Sequence, residues 1–161
     1  MFISKHKKSC RVLCWVLFAI YVVVLVYFLF FSERMGRTDL DRTYHYNLIP
    51  FREIRRFLIY REQIGFAASF LNLAGNILIF TPFGFLVPAM VRRLRGFFRV
   101  VLLGFELSLA VECVQLLTKT GSFDVDDLIL NTIGSVIGVL FYMGIQHKRD
   151  VTADRRRREN G

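Results

Sequence analysis

Apolar residues fall into four long blocks along the chain, and charged residues collect between the blocks. The first, Val12 to Phe31, carries no charge. As a helix rising ~1.5 Å per residue it spans a hydrocarbon core of ~30 Å. Further blocks cover 67–90, 98–117 and 125–145. Lengths of this order predict an all-α membrane protein with four transmembrane helices. The chain then divides into a basic tail at 1–11, a membrane domain at 12–147 and a charged tail at 148–161. That last tail is poor in apolar residues and is expected to be disordered. The first block is too long for a signal peptide, and no small-x-small cleavage site follows it, so a retained helix is expected. Pro82 lies well inside the second block and is expected to kink it.

The segments between the blocks give an orientation. The N-terminal tail holds Lys5, Lys7, Lys8 and Arg11 without an acid. The second loop holds Arg92, Arg93, Arg95 and Arg99, again without an acid, and the C-terminal tail holds Lys148, Arg149 and Arg155 to Arg158. Short basic segments stay on the cytoplasmic side. Both termini are therefore expected inside, and the first and third loops outside. The first loop balances seven basic residues against five acids.

Within that first loop the period changes. Ile54, Phe57, Leu58 and Arg61 recur at i, i+3, i+4 and i+7, with Arg52, Glu53, Arg55 and Arg56 elsewhere. This predicts a short amphipathic helix on the outer membrane surface, or a plain connecting helix with its arginines reaching for water. Asn47, Pro50, Arg52, Arg55 and Arg56 are its candidate head-group contacts.

Composition changes the picture little. The chain of 161 residues is 54% hydrophobic, yet it carries a net charge of +9. The basic residues flank apolar blocks and form no separate basic domain, which argues against nucleic acid. Cys10, Cys14 and Cys113 make no C-x-x-C pair and no zinc spacing, so they read as small buried hydrophobes. No metal and no cofactor is expected.

Polar residues inside an apolar block are costly and point to function or to interhelical bonding. Gly104, Ser108, Glu112 and Gln115 share one face of the third block, and Asp127, Asn131, Gly134 and Gly138 share one face of the fourth. Ser69, Asn72 and Asn76 share a face of the second. With the orientation above, all three faces are polar toward the outside. Gly134 to Gly138 forms a G-x-x-x-G, which permits close helix approach. The expectation is three helices packed tightly below and diverging around an outer pocket of Asn72, Asn76, Glu112, Gln115, Asp127 and Asn131. Asp124, Asp126 and Asp127 also suit the start of the fourth helix as caps. Glu106 lies deeper and off the Glu112 face.

Four ordered stretches resemble the VanZ-like family of bacterial membrane proteins. They are Asn47-Leu48-Ile49-Pro50-Phe51, the run from Asn72 to Gly84, Glu112-Cys113-Val114-Gln115, and the run from Phe123 to Gly134. The resemblance covers roughly 44–145. Many members place an arginine just before the acidic stretch, where this chain has Lys119-Thr120-Gly121-Ser122. The family takes its name from a protein associated with low-level teicoplanin resistance. The resemblance thus implies a role linked to glycopeptide antibiotics or the cell envelope, in the bacterial cytoplasmic membrane.

Three functions fit these residues. The favoured one is a non-enzymatic protein whose outer pocket binds a lipid-linked wall component or a lipoglycopeptide, with membrane lipid as its surroundings. A hydrolase or transferase acting on a lipid head group would use Glu112 and Asp127 as acid and base, or to bind a divalent cation with Asn131. Against it, the sequence offers no activated nucleophile and no phosphate loop, and His6, His45 and His147 lie outside the blocks. A small proton-coupled transporter would use Glu106 and Glu112 as a relay.

Overall fold

The computed structural model describes residues 2–27, 46–56, 59, 66–119 and 121–159; the side chains of 2–11, 66–69, 71, 72 and 157 lie outside that description. In chain order the elements are α1 (Phe2–Tyr27), β1 (Tyr46–Asn47), a short helix α2 (52–56), α3 (Phe66–Met90), a 3-10 turn (Arg92–Leu94), α4 (Phe97–Thr118), β2 (Phe123–Asp124) and α5 (Val125–Glu159). Three of these helices are long and apolar enough to cross a membrane: α3, α4 and α5. The described apolar part of α1 is shorter, Val12–Tyr27, and the expected end of that span at 28–31 lies outside the described residues.

The helices follow the apolar blocks, with α3 ending before Val91 and α4 ending before Lys119. Gly96 has an extended backbone ahead of α4. Lys119 takes a left-handed conformation (φ 54°) after it, and its N–H reaches back to Gln115 and Leu116 carbonyls. α3 continues through both Pro82 and Pro88. Thr81 Oγ1 donates to the Ile77 carbonyl at 2.8 Å, one turn earlier.

One expectation is corrected. The stretch after His147 is helical to Glu159 instead of disordered. A membrane-spanning helix supplies the nucleus, so each further residue adds a bond at little cost. Thr152 to Lys148 and Arg155 to Glu159 add side-chain contacts at i,i+4.

The helices meet on small residues. Along α4, Glu112 lies next to Asp124 just before α5, Ser108 next to Asn131 and Gly104 next to Ser135 within it, an antiparallel register. On α3 and α5, Ile77 lies against Gly134 and Thr81 against Gly138. A Cβ at Gly134 would overlap the Ile77 carbonyl oxygen, and one at Gly138 the Thr81 carbonyl oxygen. The tight lower packing expected from G-x-x-x-G is therefore present. α1 completes the core, with Tyr21 and Leu25 against Phe80, Phe83, Leu86, Val87 and Met90.

The first and third loops, 77 residues apart, join at one end of the bundle. β1 and β2 pair in parallel, Tyr46 with Phe123 and Asn47 with Asp124.

Candidate functional site

Where those loops join, backbone donors converge on three carboxylates. Asp124 ends β2 and stands just before α5. Its Oδ1 accepts the Asp126 N–H at 2.8 Å, the N-cap bond expected of an aspartate there. The same oxygen accepts the Asn47 amide at 3.1 Å. The Asp124 N–H donates to Glu112 Oε2 at 2.9 Å. Burial pushes the Asp124 carboxyl above the ordinary aspartate range. The bonds from the Asp126 N–H and Asn47 hold it down in part, and the nearby carboxyls of Asp126 and Glu53 add to the rise.

Asp126 does not serve its own helix. Its side chain accepts the N–H groups of Phe51, of Glu53 at 2.7 Å and of Ile54 at 3.1 Å. It thus caps α2 from a helix more than 70 residues away in sequence. The sequence explains why an outside cap is needed. The residue before α2 is Phe51, which has no side-chain acceptor for the first-turn amides. Phe51 also holds φ at 64°, a left-handed conformation that costs a bulky residue energy. The bond from its N–H to Asp126 helps hold it there. Asn47 adds a local turn, its Oδ1 accepting the Ile49 N–H at 3.2 Å.

The residues expected at this end are placed as follows. Glu112, Gln115 and Asn131 are buried, at 2%, 3% and 1% exposure. Asn76 Nδ2 donates to Asp127 Oδ1, linking α3 to α5. Asn131 Nδ2 donates to Ser108 Oγ at 2.9 Å, linking α5 to α4. Its Oδ1 has no partner among the described residues. The side chain of Asn72 lies outside the described residues, as do Phe57, Leu58 and Arg61 of the expected surface helix. Pro50, Arg52, Arg55 and Arg56 are exposed, and Ile54 is half-buried, so the described part of α2 shows one covered face. Arg56 pairs with Glu53 at 3.0 Å. Glu106 sits on the exposed side of α4, beside exposed Leu102 and Phe105.

The polar groups are drawn together by bonds, with residues 47–54 fastened across them. Two grooves among the described residues lie elsewhere and are apolar. One, of about 620 Å³, runs between α1, α3 and α5 past Leu17, Tyr21, Pro82 and Phe141; the other, of about 460 Å³, lies on α5 around Leu140 and Gly144. Sequence reasoning missed the part played by Asp126 because Asp124 and Asp126 fit the start of α5 as caps equally well. The signal available was the missing cap at Phe51.

Comparison with known proteins adds two matches. A family model described as VanZ/LLP1 matches residues 18–146. A protein named Protein VanZ from Enterococcus faecium is 30% identical over 135 residues, which cover 82% of this chain and 74% of that protein. No solved structure matches significantly.

Proposed function

The chain belongs to the VanZ/LLP1 family, and from that premise we propose a multi-pass protein of the bacterial cytoplasmic membrane, linked to glycopeptide resistance. In this proposal four helices span the membrane with both termini inside, since the basic segments 1–11, 92–99 and 148–158 then all face the cytoplasm. The acidic network lies at the outer leaflet. It binds a lipid-linked wall component or a lipoglycopeptide such as teicoplanin. Asn76, Glu112, Gln115, Asp127 and Asn131 supply hydrogen bonds to sugar or peptide groups, with Asn72 beside them, and Arg52, Arg55 and Arg56 meet a carboxylate or phosphate.

One observation carries this reading. Residues from four separated stretches, 47–51, 72–84, 112–115 and 123–134, converge on a single end of the bundle through Asn47–Asp124, Glu112–Asp124 and Asn76–Asp127. Stability alone seldom asks for so many buried polar groups, because apolar packing does as well or better. Binding is favoured over hydrolysis because Glu112 and Asp127, the acid and base that a hydrolase would use, already accept hydrogen bonds from the Asp124 N–H and the Asn76 amide. A general acid or base needs free lone pairs facing substrate. A ligand reaches the buried groups when residues 47–54 lift from Asp124 and Asp126.

The test is titration of the purified full chain in lipid nanodiscs with teicoplanin, which bears an acyl chain, and with vancomycin. Saturable binding favouring teicoplanin is expected. Asp127→Asn should weaken it about tenfold, the equivalent of ~1.4 kcal/mol. Absence of saturable binding, or identical affinity in Asp127→Asn, would refute the proposal.

A further inference from the structure

We infer a second binding site, for the phosphate of an anionic membrane lipid, at the opposite end of the bundle, where the α3–α4 turn meets Tyr142 of α5. Tyr142 lies 16 residues beyond Asp126 on the same helix, ~24 Å along its axis. The turn and the first residues of α4 hold Arg92, Arg93, Arg95 and Arg99 within eight residues and no acid. Among the described residues none of the four makes an ion pair; the pairs there are Arg56–Glu53 and Arg155–Glu159.

Two of these arginines are already positioned by backbone. Arg95 folds back so that its Nε donates to the Pro88 carbonyl at 3.4 Å, and its guanidinium lies 5.9 Å from the centre of the Tyr142 ring. With Nε and one face used, its two terminal nitrogens remain as the fork that matches phosphate oxygens. Arg99 donates from Nη1 to the Arg93 carbonyl at 2.8 Å. Arginines held this way lose little rotamer freedom when an anion arrives.

Independent of the charge, Tyr142 itself points to a ligand. It is 7% exposed, and its hydroxyl is buried without a hydrogen-bond partner among the described residues. A buried hydroxyl normally has one. Phe85 packs against the ring of Tyr142, its centroid 6.2 Å away, and fixes it beneath Arg95. In the proposed site a phosphate oxygen bridges the Arg95 fork and the Tyr142 hydroxyl, which requires a small outward turn of the guanidinium or the ring to open the hydroxyl to it.

The surroundings favour a lipid over free phosphate. Phe98, 83% exposed, stands beside Arg99 on the outside of α4. An exposed aromatic next to basic residues is the pattern of a helix end at head-group level. Lys148 and Arg149 continue the exposed positive surface on α5.

Native mass spectrometry of the detergent-purified full chain, titrated with phosphatidylglycerol or phosphatidylcholine, tests the site. The wild type should retain phosphatidylglycerol about tenfold more than phosphatidylcholine. Arg95→Gln should remove most of that preference, and Arg95→Lys should restore only part of it, since a lysine is charged but not forked. Tyr142→Phe, which keeps the ring and the fold, should lower it about threefold. Arg155→Gln, on the far part of α5, should leave it unchanged. Equal retention of the two lipids, or an undiminished preference in both Arg95→Gln and Tyr142→Phe, overturns the site. Displacement of bound phosphatidylglycerol by millimolar inorganic phosphate overturns its assignment to a lipid.

Discussion

Asp126→Ala will release residues 51–56 from the bundle while leaving the β1–β2 pairing and the α3–α5 seam intact. The substitution removes the acceptor for three N–H groups, those of Phe51, Glu53 and Ile54. A hydrogen bond to a charged group is worth about 1.5–3 kcal/mol, and such bonds sharing one carboxylate are not additive, so about 3 kcal/mol of local stability is at stake. α2 cannot recover it locally, because Phe51 offers no replacement cap. Phe51 would also leave its left-handed conformation, so the loop would relax as well as loosen. Hydrogen exchange should show the Phe51, Glu53 and Ile54 amides losing about a hundredfold in protection, while amides in the middle of α3 and α5 keep theirs. Asp126→Asn keeps an acceptor without the charge and should fall between. Equal protection of 51–54 in wild type and Asp126→Ala would show that the cap does not hold this segment.

The other large effect lies deeper. Gly138→Leu should unfold or separate the α3–α5 pair, lowering stability by ~3 kcal/mol or more. The obstacle is backbone: a Cβ at Gly138 meets the Thr81 carbonyl oxygen, and the Phe85 nitrogen and Gly84 carbonyl carbon lie close behind. A flexible side chain could move aside, but three pieces of a neighbouring helix backbone move only if the helices part. Even Gly138→Ala should be clearly destabilising. Gly144 provides the contrast, because a Cβ there meets nothing within 4 Å. Gly144→Ala should be neutral or raise stability by up to ~1 kcal/mol through helix propensity. Thermal unfolding of the three variants in one detergent reads the difference. A Gly138→Leu protein as stable as wild type would contradict the packing.

The contrast between these two positions marks how far the sequence could be read. Gly138 was legible: its spacing from Gly134 and its place on the face of Asp127 and Asn131 follow from helical geometry alone. So were the limits of α3 and α4, which lie at Phe66–Met90 and Phe97–Thr118 against expected 67–90 and 98–117. Within the expected site, Glu112, Asp127 and Asn131 were legible because each is a polar residue where an apolar one would be cheaper. Asp126 was not, since capping a distant helix leaves no periodic trace. Nor was the pairing of Tyr46–Asn47 with Phe123–Asp124, because two-residue strands are set by tertiary contact and not by pattern. The helical end of α5 escaped for a related reason: charged composition signals disorder only when no neighbouring helix is there to extend.

The measurement that bears most directly on the central claim is antibiotic susceptibility in a susceptible Gram-positive host. Wild type, Glu112→Gln and Asp127→Asn are expressed at equal membrane levels and challenged with teicoplanin and vancomycin. The outer network predicts that the wild type protects, more strongly against teicoplanin, and that both substitutions remove most of that protection. Lack of protection by the wild type would contradict the link to resistance. Equal protection by all three would contradict the placement of function in the acidic network.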